Sequence, residues 1–394
     1  MPTTRCCIAG GGPAGMMLGL LLARAGIDVI VLEKHEDFLR DFRGDTIHPS
    51  TMEVLHELGL LTEFLKLPYT PTARIGASIG GEYVELADFS HLPVQCKFIA
   101  MMPQWEFLNF LAGAGRAYPS FHLMMRAEAT GVKDQTVTLR TPEGEITIDA
   151  ELVIGADGRG STLRDAAGFK PVELGAPMDV LWMRLPRHAG DPDTSMGRIA
   201  TGRFMAMLDR GDYWQCAYVI PKGGIEAARA AGLPAFRADV VDLMPLFSDR
   251  VDEIKTWDDV KLLTVAVNHL PEWSRPGLLF IGDAAHAMSP IGGVGVNYAV
   301  QDAVAAANIL IPRMKTRALT HEDLRDVQRR REPPTRRMQR LQVFLQNNLI
   351  SAVLAARGPL KLPLPVRLLR WFPLLRRIPA RVIGLGFQPE HINH

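Results

Sequence analysis

Three widely separated clusters of glycine and carboxylate hold the residues best suited to chemistry in this chain. In the first, Gly10, Gly11, Gly12 and Gly15, with Ala14 among them, stand between one apolar run and the next. Glycine there allows a tight turn and lets backbone N–H groups approach a pyrophosphate, whose charge the following helix N-terminus favours. Glu33 lies 18 residues after Gly15, where a carboxylate accepts hydrogen bonds from ribose hydroxyls. These residues point to a dinucleotide and leave FAD and NAD equally open. The second cluster surrounds Asp157; the third surrounds Asp283 and continues through Pro290, Ile291, Gly292, Gly293, Gly295 and Asn297. Each follows an apolar run, so each carboxylate arrives at the C-terminal edge of a strand, where α/β folds bind ligands. Asp283 is placed to accept hydrogen bonds from a polyol such as the ribityl chain of a flavin. The glycines after it let a flat ring press against backbone. The helix they open favours negative charge on that ring by about 0.3–2 kcal/mol. Together the clusters select FAD.

These residues need a scaffold of alternating strands and helices. Residues 4–9 read as a buried strand, Met16–Ala25 as a helix closed by Gly26, and Asp28–Leu32 as a second strand, a βαβ unit of about 30 residues. Helical spacing recurs over Ser50–Leu61, Glu106–Tyr118, Ala235–Met244 and Val296–Ile311. Short alternating pieces over 73–99, Val132–Val153 and 179–267, with Tyr213–Ile220 the clearest, suit antiparallel sheet. Leu278–Gly282 returns to a buried parallel-type strand. Beyond Thr320 the chain is basic and helical to about Ala356, and a tail broken by prolines follows. The expected architecture is α/β, with an FAD-binding domain (1–72, 97–178, 268–330) interleaved with a β-rich substrate domain (73–96, 179–267). A C-terminal helical, basic segment (331–394) follows.

Composition narrows the partners. Among 394 residues, 44 basic side chains balance 43 acidic ones, so no global field points to nucleic acid. The four cysteines show neither CxxC nor metal-ligand spacing and read as reduced, buried thiols, with no metal expected. No leader and no run of about 20 apolar residues is evident, and the expectation is a cytoplasmic protein, monomeric or homodimeric.

The clusters read GGGPAG at 10–15, DGRGSTLR at 157–164, GDAAH at 282–286 and PIGGVGVN at 290–297. In this order and spacing the chain resembles the class A flavoprotein monooxygenases, typified by p-hydroxybenzoate hydroxylase, over about residues 4–310. The resemblance implies that family's fold, with a Rossmann-like FAD-binding domain. It also implies hydroxylation of an aromatic or phenolic ring through a flavin C4a-hydroperoxide, with O2 and transiently bound NADH or NADPH. No second glycine-rich dinucleotide turn is present, as that requires. By the same resemblance Gly10, Gly12, Ala14, Gly15, Glu33, Arg43, Gln104, Asp157, Asp283, Gly293, Gly295 and Asn297 contact FAD. His48, Tyr213, Gln215, Pro290 and Ile291 are expected to line the substrate pocket. His286 is read as structural, and no catalytic base is named.

One departure is informative. Where p-hydroxybenzoate hydroxylase carries a carboxylate-binding arginine, this chain has Gln215, so a neutral, polyketide-like or quinone-precursor ring fits at least as well as a benzoate. The competing readings are an FAD-dependent reductase or epoxidase of an isoprenoid, and a non-catalytic FAD-binding regulator. The halogenase signature WxWxIP is absent. Seven basic and no acidic residues lie between Arg357 and Arg381. Attachment to an anionic membrane is one reading of that tail. The favoured one is packing on the FAD-binding domain with arginines reaching outward.

Overall fold

A computed structural model describes residues 3–39, 46–192 and 195–393. Its first sheet is built from near-continuous apolar strands, as parallel sheets buried on both faces require. Cys6, Cys7, Ile8 and Ala9, and Val29 to Leu32 beside them, are buried. The strand order is Ser274–Arg275, Leu278–Phe280, Gly144–Gly155, Thr3–Ala9, Val29–Glu33 and Phe121–Met125, parallel from the second of these onward. The register decides the function: Ala9 lies opposite both Leu32 and Gly155, and Gly155 opposite Phe280. The turns that begin at Gly10, Ala156 and Ile281 therefore leave the same sheet edge side by side. Helices Pro13–Arg24 and Gly295–Thr316 pack together against this sheet.

The second sheet has seven strands in the order Lys261–Leu263, Met178–Pro186, Tyr213–Pro221, Arg203–Asp209, Met196–Ala200, Arg74–Ile79 and Glu82–Asp88. Along Tyr213–Pro221 the side chains alternate. Trp214, Cys216, Tyr218 and Ile220 join a core with Phe236, Val240 and Phe247. Ala217 and Val219 face the other way, with Val180, Trp182, Phe204 and Ala206, toward Ile291 and the segment after Thr320.

Some expectations change. Gly295–Thr316 lies in a helix long and apolar enough to cross a membrane, but it is mostly buried inside the protein; it is a core helix carrying buried Asn297, Gln301 and Asp302. The helix His321–Leu345 runs across residue 330. The C-terminal segment is helical, as expected: Leu364–Trp371 and Arg377–Gly384 form with Pro365 and Pro379 in their first turns, where no intrahelical N–H is needed. The tail's arginines do not all reach outward. Arg376 is partly buried against Glu85 of the second sheet, while Arg370 pairs with Glu82 and stays exposed. All four cysteines are buried free thiols.

Candidate active site

The first glycine turn shows a separate reason for each glycine. Gly10 has φ +111°, and a Cβ there would meet the Ala156 carbonyl oxygen at 2.3 Å. A Cβ on Gly15 would meet the Gly10 carbonyl oxygen at 2.0 Å, so helix and strand could not close. Gly12 caps the helix Pro13–Arg24, and a Cβ there would find nothing within 4 Å. That open side, next to N–H groups at a helix start, is the shape an anion site needs. Glu33 ends its strand buried, and its Oε2 lies 3.0 Å from where a Gly11 side chain would begin. It accepts a hydrogen bond from the His35 N–H at 3.0 Å. Beyond it opens a cleft of about 540 Å³ bordered by Lys34, His35, Arg126 and Glu128. Arg126 holds φ +56° there, the kind of backbone strain that collects at ligand sites.

The second and third clusters lock onto each other and onto the first. Asp283 pairs with Arg159, Oδ2 to Nε 3.1 Å, with both side chains about 31% exposed. The buried Arg164 donates to the Arg159 carbonyl at 2.8 Å and to the Ala284 carbonyl at 3.3 Å. A side chain on Gly282 would press on Ala14 at 3.1 Å. Asp157 accepts from the Ser161 hydroxyl at 2.5 Å and the Leu163 N–H at 3.1 Å, which fixes the turn into the next helix. Burial raises its pKa against those hydrogen bonds.

At the far end, Asn297 Oδ1 accepts from the His48 N–H at 3.2 Å and the Thr51 hydroxyl at 2.7 Å. The Thr46 hydroxyl donates to the Gly293 carbonyl at 3.0 Å. The His48 ring is fully buried, with Nδ1 2.9 Å from the Ile383 carbonyl. Burial lowers its pKa to about 4, outweighing the pull of the Ile383 and Gly293 carbonyls. That favours the neutral ring, with Nδ1 against the Ile383 carbonyl and Nε2 beside Gly293.

Three buried polar atoms here, His48 Nε2, Arg159 Nη1 and Asn297 Nδ2, have no hydrogen-bond partner among the described residues. Buried polar groups are rarely left so. A ligand with phosphate, polyol and ring carbonyl oxygens, as in FAD, offers acceptors to the two donors. The residues present fit that group.

The structure thus brings together Gly10, Gly12, Ala14, Gly15, Asp157 and Asp283 along one edge, with Glu33 at one end and His48, Gly293, Gly295 and Asn297 at the other. Gln104 opens the helix Gln104–Gly115, just after the strand that pairs with Thr46–Ile47. Arg43 lies outside the described residues. Pro290 and Ile291 sit in a turn whose carbonyls are held by Gln342: Nε2 donates to Ser289 and to Ile291, each at 2.9 Å. Tyr213 and Gln215 share the strand face of Ala217 and Val219, nearer the strand's start. Arg184 lies 4.8 Å over the Tyr213 ring, and Arg210 donates to Gln215 at 2.8 Å. Sequence reasoning missed Arg159, Gln342, and the aromatic pair Trp182 and Phe204 facing Ile291. Trp182 stands opposite Ala217 and Phe204 opposite Val219, a register that no single strand encodes. His286 is structural, as read: buried, with Nε2 2.5 Å from Asp302.

An FAD-binding domain model matches residues 3–340. Over 386 residues the chain is 32% identical to 6-methylpretetramide 4-monooxygenase from Streptomyces rimosus, spanning 95% of this chain and 92% of that one. Among solved structures, the tetrameric form of 2-methyl-3-hydroxypyridine-5-carboxylic acid oxygenase matches with TM-score 0.74 at 22% identity, over 90% of this chain and 93% of its own. OxyS anhydrotetracycline hydroxylase from Streptomyces rimosus matches with TM-score 0.74 at 23% identity, over 97% of this chain and 76% of its own. These two likenesses bear on the fold. With the sheet edge, the glycine turns and the family match in agreement, the chain belongs to the FAD-binding class A flavoprotein monooxygenases and is an FAD-dependent hydroxylase of aromatic substrates.

Proposed function

We propose that this enzyme hydroxylates a phenolic ring within a fused, polyketide-like ring system, with NADH or NADPH as electron source. The observation that carries the substrate class is the 32% identity, across nearly all of both chains, to an enzyme named for 6-methylpretetramide. The broad apolar face of Val180, Trp182, Phe204, Ala206, Ala217 and Val219 opposite Ile291 supports it. On this reading 73–96 and 179–267 form the substrate side, and the sheet containing Thr3–Ala9 forms the FAD side.

The Gly10–Gly15 turn takes the pyrophosphate and Glu33 the adenosine ribose. Asp283, oriented by Arg159, takes the ribityl hydroxyls, and Asn297 Nδ2 donates toward the ring end. Gln104, and Arg43 before the strand Thr46–Ile47, complete the set. When bound, FAD supplies the two-electron chemistry that activates dioxygen. The protein's own part is to hold the substrate ring between the aromatic wall and the Pro290–Ile291 turn, and to keep water out. His48 Nε2, a buried ring nitrogen beside that turn, is suited to a hydrogen bond with a ligand hydroxyl.

The test is stopped-flow reduction of the holoenzyme by NADH and by NADPH with a panel of phenols and fused polyphenols, with oxygen uptake and product mass. Ligand-stimulated reduction and a product heavier by one oxygen atom are expected with the fused compounds. Turnover without oxygen consumption, or with simple benzoates alone, would overturn the proposal.

A further inference from the structure

The C-terminal tail leaves a set of apolar side chains exposed. Its helices dock through small and cationic groups: Val366 and Ala380 are buried, Arg376 meets Glu85 at 2.5 Å, and Arg370 meets Glu82. Five of its large apolar side chains nevertheless face solvent, although Leu385 is buried. Leu364 is 61% exposed, Trp371 55%, Phe372 56%, Leu374 68% and Ile378 62%. Of the thirteen exposed large hydrophobic side chains among the described residues, six lie between Leu364 and Phe387. Such clustering marks an interface, whereas scattered single residues would not.

The charges around this patch choose its occupant. Arg367, Arg377 and Arg381 are exposed beside it and form no ion pair among the described residues; Arg367 lies 4.8 Å over the Trp371 ring. No acidic residue occurs from 357 to 381. A two-fold contact with a second copy would set these cations against themselves with no carboxylate from the segment to answer them. A surface of anionic lipid satisfies both halves: aromatic and aliphatic groups enter the acyl boundary while arginines meet phosphates. We propose that the outer face of Leu364–Ile378 with its arginine rim is an interfacial binding surface for anionic membrane. The next helix, Arg377–Gly384, carries Ile383, whose carbonyl holds His48.

The test is co-sedimentation of the FAD-loaded full chain with vesicles of mixed phosphatidylglycerol and phosphatidylcholine, and with phosphatidylcholine alone, at low and high salt. Binding is expected to the mixed vesicles at low salt, weakening with salt. Arg367→Gln, Arg377→Gln and Arg381→Gln should each lower partitioning about fivefold, and Trp371→Ser with Leu374→Ser should abolish it. Retained flavin colour and unchanged circular dichroism certify that each variant is folded. No pelleting of the wild type at low salt overturns the proposal, as does equal pelleting of the arginine and wild-type proteins. A dimer in sedimentation equilibrium that dissociates in Trp371→Ser/Leu374→Ser, without vesicle binding, would assign the face to a second copy instead.

Discussion

A side chain on Gly12 would point into open space, whereas one on Gly10 would overlap the Ala156 carbonyl and hold a positive φ. The two glycines should therefore fail differently. Gly10→Ala is expected to lose at least about 1–3 kcal/mol of stability from the backbone conformation alone. Gly12→Val should keep stability within about 1 kcal/mol yet purify colourless; thermal melts and visible absorbance of the two variants separate these outcomes. His48 makes a pH prediction. Its pKa is about 4 in the fold against 6.5 in the unfolded chain, so the unfolded state alone takes up a proton between those values. The stability from the neutral ring is complete above about 6.5 and is lost as pH falls toward 4, by on the order of 3 kcal/mol. Urea midpoints of His48→Gln should lack this part of the acid sensitivity. Of these properties the sequence carried the glycine pattern and the carboxylates, because turn chemistry is local. It did not carry the burial of His48 or the pairing of Arg159 with Asp283, which join residues more than a hundred positions apart.

Among elements, the helix His321–Leu345 and its continuation do the least obvious work. Gln339, Gln342 and Gln346 are buried at helical spacing on one side, and donate to carbonyls of Asn268 and Ala287, of Ser289 and Ile291, and of Gly175. They fasten the loops around the Pro290 turn to the helix. Gln342→Ala should cost about 1–3 kcal/mol by stranding buried carbonyls. It should also lower turnover more than FAD affinity, since the Gly10 turn is untouched; paired FAD titrations and product assays test this. Strand and helix positions in the first sheet were legible because continuous apolar runs and glycine stops are strong signals. The facing of Trp182 and Phe204 was not, because it depends on cross-strand register, and neither was the tail's docking on Glu82 and Glu85, because one segment does not say where a sheet offers glutamates.

At the scale of the whole molecule, a buried ionic chain ties the last residues to the catalytic loops. Asp302 meets His286 at 2.5 Å and Arg331 at 3.0 Å, and Arg331 meets Glu390 at 3.2 Å. Burial works to raise the Asp302 pKa, but His286 and Arg331 hold it below the ordinary range. Removing one partner leaves an uncompensated charge in the interior. Glu390→Ala should therefore cost about 3–5 kcal/mol in urea unfolding at neutral pH. Interleaving of the two sheets could be inferred from where strand-like pieces interrupt the α/β pattern, whereas this long-range closure could not. Further on, the Ile392 N–H reaches Glu57 at 2.7 Å and the His391 carbonyl accepts from Asn308 at 2.7 Å. The polypeptide's final stretch thus acts as a latch: a protease should leave it intact in the native enzyme, and heating should release tail and flavin in one cooperative transition, with no early fraying.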